Sequence, residues 1–492
     1  MSELNYPRRN FLPSGTESKK CRHNEWKASP ISAKDQGAQG SVFKCLWRGQ
    51  PAIMKISNHV DFVLELEEEV WSRVKKLNCL HFCEVFGKVP VKRGERSYGL
   101  FFKEITNNGR NDSLANLLFE HVHHPNALLN CVRQTLAAIV MFETLGITHY
   151  DLHADNAMVT DTPYDVHVYR FGECIVPIRT YGLAPVIIDF GLAYIPNARY
   201  NAPCVFSKDG FTTYMPDPIV DSRLLLMTAI KELKDLLKSF RTRTRRIFSH
   251  QYKDTCVVLE RFIEKTESIF APLNLHDNGW YKNDDMFPNV VNELIEQLPP
   301  MLKKTKKGVF KSENFDWIVE LLQHEITIPV THRKPDALSF GKATCNLAID
   351  WKKFVEPVIR NTHEEQLFFK DLVSISDTVA DYTTMRHRYP KVKNIKCLRD
   401  GVRAMGDAFN NLLYEKVVDV ARVKEDMFMK LPHRTTQDIL CALPSMQNKY
   451  TEGMTLLVMD PFSPNHKEVM IDERLAQMLN ESEQETLRKY IV

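Results

Sequence analysis

Apolar residues recur along this chain with two different periods, and the change from one to the other divides it. From Ile31 onward, "SVFKCLW" and "PAIMKIS" are two short apolar runs around Arg48–Gly49, which predicts two strands joined by a tight turn. "FVLELEEEVWSRVKKL", 62–77, sets Val63, Leu66, Val70, Val74 and Leu77 three or four apart, the spacing of one helix face. "YGLFFKEI", 98–105, is apolar and aromatic enough for a further strand. Together these elements predict a small β-rich lobe over about 31–105.

Helical spacing dominates afterwards. "DSLANLLFEHV" opens with Asp112 or Ser113 as N-cap. "ALLNCVRQTLAAIVMFETLG", 127–146, is apolar almost all round and ends on Gly146, which predicts a buried helix with a glycine C-cap. "VHVYRFGECIVPIRTYG" alternates around Gly172–Glu173 like a hairpin, and "APVIIDFGLAY" is a continuous apolar strand running into a polar turn. "SRLLLMTAIKELKDLLKSF", beyond Asp221, is another strong helix, and the remainder to Val492 reads as mostly helical with polar loops. The expected organisation is an irregular polar arm over 1–30, a domain over 31–330 with a second lobe from about 106, and a helical region over 331–492. The last boundary rests on "IPVTHRKPDAL", 328–338.

Composition narrows the class. A chain of 492 residues, 43% hydrophobic and 26% charged, has the balance of a soluble globular protein with a large core. Its 65 basic and 62 acidic side chains leave a net charge of +3, so charge gives no argument for a nucleic-acid partner. The basic runs "RTRTRR", 241–246, and "KKTKKGVFK", 303–311, read as solvated surface. The 11 cysteines are scattered without a CxxC pair, and Cys79 and Cys83 around His81 lack a matching second half. Free thiols in a reducing compartment are expected rather than zinc. "MSELNYPRRNF" has no apolar signal core, and no run approaches the ~18 apolar residues of a membrane span. An intracellular chain without a membrane partner is expected.

The candidate chemistry centres on "ITHYDLHADNAMV", 147–159. Moving a phosphoryl group from ATP needs a backbone cradle, a cation on the phosphates, a carboxylate at the acceptor hydroxyl and groups that hold metal. "DQGAQGSV" offers Gly37 and Gly40 as the cradle, with Val42 to cover the adenine, although glycines of this kind also make plain turns. Lys55 follows Val42 by thirteen residues inside the strand "AIMKI". Its ion-pair partner is expected on the helix at 62–77, where Glu67 fits best and Glu65, Glu68 and Glu69 stay open. Asp151 is followed at +5 by Asn156, and "IIDFG" puts Asp189 at the end of an apolar strand. An aspartate facing the hydroxyl, with an asparagine and an aspartate facing Mg2+, is the protein-kinase arrangement. A zinc site on His149 and His153 is weaker, since the glutamate of HExxH is absent and the context is a loop.

On "HYDLHADN" and "IIDFG" the chain resembles the eukaryotic-type serine/threonine protein kinases over about residues 31–240. The resemblance implies an α+β, bilobal protein-kinase-like fold, with a small β-rich N-lobe, a helical C-lobe and a mostly helical C-terminal extension. It implies that Lys55 contacts the ATP phosphates with Glu67 as its partner, and that Asp151 is the catalytic base. It implies Asn156 and Asp189 as ligands of Mg2+ or Mn2+, and Glu104–Ile105 as the hinge to adenine. Asp221 would anchor the catalytic loop, and Thr212–Thr213–Tyr214 would lie at the peptide-binding end of the activation segment.

Departures from the family pattern refine the picture. Asp35 replaces the first loop glycine, and Tyr150 stands where many kinases carry an arginine that reads a phosphorylated activation loop. His153 replaces the usual lysine; this DLHxxN form is similar to haspin-like kinases and to aminoglycoside and choline kinases. The 33 residues from Asn156 to Asp189 are more than most kinases use. That insert looks most like kinases of large nucleocytoplasmic DNA viruses, iridoviruses among them. The expectation is an ATP-dependent kinase acting on serine or threonine of a protein, in host cytoplasm or virion, with virion or host proteins meeting the C-terminal region. A small-molecule phosphotransferase, or a catalytically weak scaffold, are the alternatives.

Overall fold

The computed structural model describes residues 28–30, 40–57, 62–77, 79–90, 98–120, 125–196, 216–243, 250–282, 418–445, 448–463 and 466–492. One compact unit comprises 1–195, 216–280 and 429–492; a second comprises 196–215 and 281–428, in which 418–428 is helical. Gly37, Asp35, Thr212–Thr213–Tyr214, the run 303–311 and the boundary at 328–338 lie outside the described residues.

The first unit is a mixed α+β structure that starts with an antiparallel sheet. Its strands are β1 (Ala28–Pro30), β2 (Gly40–Trp47), β3 (Gln50–Ser57), β4 (Val85–Pro90) and β5 (Tyr98–Lys103), in the order β1-β2-β3-β5-β4. Strands β2 and β3 meet at Arg48–Gly49, where both residues have positive φ, 50° and 83°. That turn follows the right-handed strand twist and favours glycine at its second position. Helix α1 (Phe62–Val74) buries Leu64, Leu66, Glu67, Val70 and Val74. β1 lies within the stretch expected to be an irregular arm; it pairs with β2, Ser29 opposite Lys44.

A short β6 (Asp112–Ser113) leads into α2 (Leu114–Glu120), and Ser113 Oγ accepts from Asn116 N at 3.2 Å, settling which of the two N-cap candidates acts. Helix α3 (Pro125–Glu143) is buried continuously from Ala127 to Phe142, and Gly146 follows it with φ 71°. Two of its polar side chains bond outward to backbone: Asn130 Nδ2 donates to Arg179 O at 2.8 Å and Gln134 Nε2 to Leu183 O at 3.1 Å. Strands β7 (Ala157–Asp161) and β10 (Leu183–Ile187) pair antiparallel and frame the hairpin of β8 (Val166–Phe171) and β9 (Cys174–Arg179). Helices α4 (Val220–Arg243) and α5 (His250–Phe270) pack on each other.

The end of the chain differs from its expected helical character. Besides α6 (Thr436–Ala442) and α7 (Glu473–Glu481) it contains β11 (Thr455–Met459) and β12 (Lys467–Met470). β11 runs parallel to β8, giving a four-stranded sheet in the order β12-β11-β8-β9. Alternation in β8 serves two faces: Val166 and Val168 join Leu456, Ile471, Leu479 and Ile491 in one core, while His167 and Tyr169 point the other way. The long-range pairing is fixed by Asp165, whose Oδ2 accepts from Thr455 N at 2.8 Å. Leu456 is fully buried there, so Leu456→Ala is expected to cost about 2–5 kcal/mol through lost burial and a cavity. Leu46→Ala, at a residue 47% exposed, should stay within about 0.5 kcal/mol. Urea unfolding midpoints of the two variants check the contrast.

Candidate active site

A cavity of about 490 Å3 opens beneath the β2–β3 hairpin, with Val42, Ile53 and Lys55 on one wall and Met158, Ile187 and Asp189 on another. Its size suits a small organic ligand, and most of its surface is apolar with a few converging charges. Lys55 projects from β3 and its Nζ contacts Glu67 Oε1 of α1 at 2.5 Å and Asp189 Oδ1. Among the other candidate glutamates, Glu68 pairs with Lys88 at 2.5 Å and Glu69 with Arg73 at 2.6 Å; the Glu65 side chain lies outside the described residues. Glu67 reaches Lys55 because it sits three and seven residues before Val70 and Val74, on the buried face.

The charges hold one another. Burial alone would depress the Lys55 ammonium, but Asp189 and then Glu67 more than offset it, so its pKa lies above the usual lysine value. Burial likewise raises Asp189, and Lys55 overcomes this, keeping that carboxylate below its ordinary range. Glu67 is pushed up to about 7 by burial, against the pull of Lys55. The shared ammonium therefore stabilises the Asp189 charge most firmly.

The loop bearing Asp151 is tied down by backbone bonds. Asp221 opens α4 and accepts from His149 N at 2.7 Å and Tyr150 N at 2.8 Å. These bonds hold Tyr150 at φ 65°, a left-handed conformation that costs a non-glycine residue about 1–2 kcal/mol. Burial pushes Asp221 up to about 7, with the two backbone donors pulling down. His149 is fully buried and its pKa is lowered to about 4 by burial, so the ring is neutral at pH 7. Its Nε2 faces Ile188 O at 2.9 Å; a carbonyl only accepts, so Nε2 carries the proton and Nδ1 accepts from Asp151 N at 3.3 Å. One ring thus ties the Asp151 loop to the residue before Asp189.

Asn156 Nδ2 donates to Asp151 O at 2.7 Å, and Asn156 O accepts from Ile188 N at 3.0 Å. Asp151 and Asn156 stand beside the cavity rather than on its wall, yet Asp189 and Lys55 both act on the Asp151 carboxyl. That carboxyl is pushed up to about 6, first by desolvation, with His153 pulling down and Asp189 pushing up. His153 lies 4.0 Å from Asp151 Oδ1 and 3.8 Å from Asp155 Oδ2. Asp189 itself adopts φ 61°, and the following Phe190 packs on His149 with ring centroids 4.6 Å apart.

At the edge of β5 the structure separates the two expected hinge residues. Ile105 lines the cavity, as does Lys103, which the motif spacing does not single out. Glu104 is off the wall because its carboxylate turns to Lys44 at 2.9 Å, an alternation natural to extended chain. Asn111, for which the sequence carries no signal, also lines the cavity, and its Nδ2 donates to Ile105 O at 2.7 Å. Gly40 begins β2 opposite Ser57.

Among the described residues no group of three or more His, Cys, Asp or Glu side chains is placed to hold a metal ion. His81 has both nitrogens engaged, with Pro185 O and Tyr169 OH at 2.7 Å each. The oxygen donors of Asp189 and Asn156 are a different set. With Asn156 Nδ2 committed to Asp151 O, its amide oxygen is left to accept, and like the Asp189 carboxylate it is a hard oxygen donor of the kind divalent cations take.

This chain is similar to viral proteins. It is 28% identical over 199 residues to "Putative phosphotransferase 057R" of Frog virus 3 (isolate Goorha), covering 39% of each chain. It is 20% identical over 314 residues to "Uncharacterized protein 038R" of Invertebrate iridescent virus 3, covering 56% of this chain and 53% of that one. The chain therefore spans about half or less of the length of these relatives. No family model matches it. Among the described residues no helix is long and apolar enough to cross a membrane.

Proposed function

We propose that this chain is an ATP-dependent protein serine/threonine kinase with a bilobal protein-kinase-like fold. The observation that carries the reading is the Lys55 ammonium, shared between Glu67 and Asp189 on a cavity wall and felt by Asp151. Val42 and Met158 would enclose the adenine, with the backbone at 103–105 along its edge. Lys55 would contact the α- and β-phosphates, and Gly37 and Gly40 would let the backbone approach the phosphates. Asp151 would orient the acceptor hydroxyl and take its proton late, because the transferred group passes through a loose transition state. Asn156 and Asp189 would hold Mg2+ or Mn2+, which when bound neutralises charge on the phosphates.

The name of the Frog virus 3 relative supports phosphoryl transfer. Host cytoplasm or virion would be the place of action. Host or virion proteins would meet the C-terminal region. His153 beside Asp151 favours a second reading, transfer to a small hydroxylated or amino compound. Incubation with γ-labelled ATP and casein, followed by phosphoamino-acid analysis, separates the two. Label on phosphoserine or phosphothreonine is expected. Label on choline or an aminoglycoside but on no protein would shift the conclusion to the second reading, and no transfer at all would remove both.

A further inference from the structure

We infer that Cys174 and Cys441 form a cystine site, a covalent cross-link made by thiol–disulfide exchange with a small disulfide such as oxidised glutathione. The inference is independent of phosphoryl transfer. Cys174 opens β9 directly after the exposed turn Gly172–Glu173, and Cys441 sits near the end of α6. Their Sγ atoms lie 3.6 Å apart although 267 residues separate them. A disulfide requires about 2.05 Å, so the sulfurs must close by about 1.5 Å, a shift that side-chain rotation and the neighbouring turn can share.

Access and chemistry both fit. Cys441 is exposed and Cys174 half-buried, whereas Cys45 and Cys131 are enclosed in the core. Burial holds the Cys441 thiol up to about 11, with Cys174 pushing the same way and Arg133 of α3 pulling back. Exchange through the scarce thiolate is therefore slow but not blocked. One cysteine thiolate attacks a glutathione disulfide sulfur and forms a mixed disulfide. The glutathione thiolate released takes up a proton. The second cysteine thiolate then attacks the protein sulfur of that mixed disulfide and releases the second glutathione. Two thiols are oxidised to one disulfide, and one glutathione disulfide is reduced to two thiols.

The bond would clamp α6 to the β8–β9 hairpin. Thr436, the first residue of α6, donates to Glu143 Oε1 at 2.7 Å, and its Oγ lies 3.3 Å from Pro218 O. Both contacts flank the segments that carry His149 and Asp221. The bond would therefore sit beside elements that frame the Asp151 loop.

The full chain, incubated overnight with excess oxidised glutathione at about pH 8, is alkylated, digested without reductant and analysed by mass spectrometry. A peptide pair joined through 174 and 441, two hydrogens lighter than its parts, is expected in most molecules. The oxidised chain should melt several degrees higher, because the bond closes a very long loop, and dithiothreitol should reverse the shift. Cys174→Ser and Cys441→Ser should each end with a glutathione on the remaining cysteine and no melting shift. Two persistent glutathione adducts on the parent, both thiols left free for alkylation, or a melting shift retained by the serine variants would each overturn the inference.

Discussion

Asp151→Asn is expected to lower phosphoryl transfer by about 10²–10⁴-fold, the usual contribution of a positioned general base. Nucleotide binding should survive, because the cavity wall is built by Val42, Lys55, Glu67 and Asp189 rather than by Asp151. The loop should keep its place as well, since Asp221 and His149 hold its backbone. The same carboxyl gives the parent a pH profile. Pushed up to about 6, it must lose its proton to act, so activity should fall about tenfold per unit as pH drops below 6. Steady-state rates of parent and variant between pH 5 and 8 check both statements. Equal rates, or a parent profile flat through pH 6, would remove Asp151 from the role.

The second large effect concerns Lys55. Its ammonium neutralises two carboxylates, of which Glu67 is only 3% exposed. Lys55→Met should cost about 3–5 kcal/mol, the range for stranding a buried charge, and reduce transfer by about 10²-fold or more. The loss should depend on pH. Burial holds the folded-state pKa of Glu67 at about 7 in the parent, above its unfolded value of about 4.3, and without the pull of Lys55 it lies higher still, so the variant keeps to higher pH a proton the unfolded chain has lost. That contribution is fully present below the unfolded pKa and disappears as pH rises through the folded one. The stability gap between parent and variant should therefore widen chiefly between pH 7 and pH 9, where the parent's Glu67 has ionised against Lys55 and the variant's has not. Urea denaturation across that range measures it, and a gap that stays constant would show that Glu67 does not depend on Lys55 for its charge.

Local pattern was enough where an element's neighbours are close in sequence. The decisive cases are the turn at Arg48–Gly49, the buried run of α3 ending before Gly146, and the hairpin at Gly172–Glu173. Glu67 could be ranked first among its neighbours because it shares a face with Val70 and Val74. What pattern could not supply was long-range pairing. "TLLVM", 455–459, is a short apolar run that reads equally as helix or strand; it is a strand because β8, about 290 residues earlier, offers an edge and Asp165 an anchor. The spacing of His149 and His153 hints at a metal, yet the value of His149 lies in a tautomer that joins two loops, a role no spacing reveals. Glu104 and Lys103 exchange roles for a similarly local reason, the direction in which each side chain leaves the strand end.

A crystal structure with Mn2+ and a non-hydrolysable ATP analogue tests the convergence of these groups on a nucleotide most directly. The expected result is anomalous manganese density about 2.1 Å from oxygens of Asp189 and Asn156, with Lys55 Nζ on the α- or β-phosphate and Asp151 facing the γ-phosphate. Nucleotide bound elsewhere on the molecule, or a triphosphate in this cavity that leaves Lys55, Asn156 and Asp189 untouched, would contradict it.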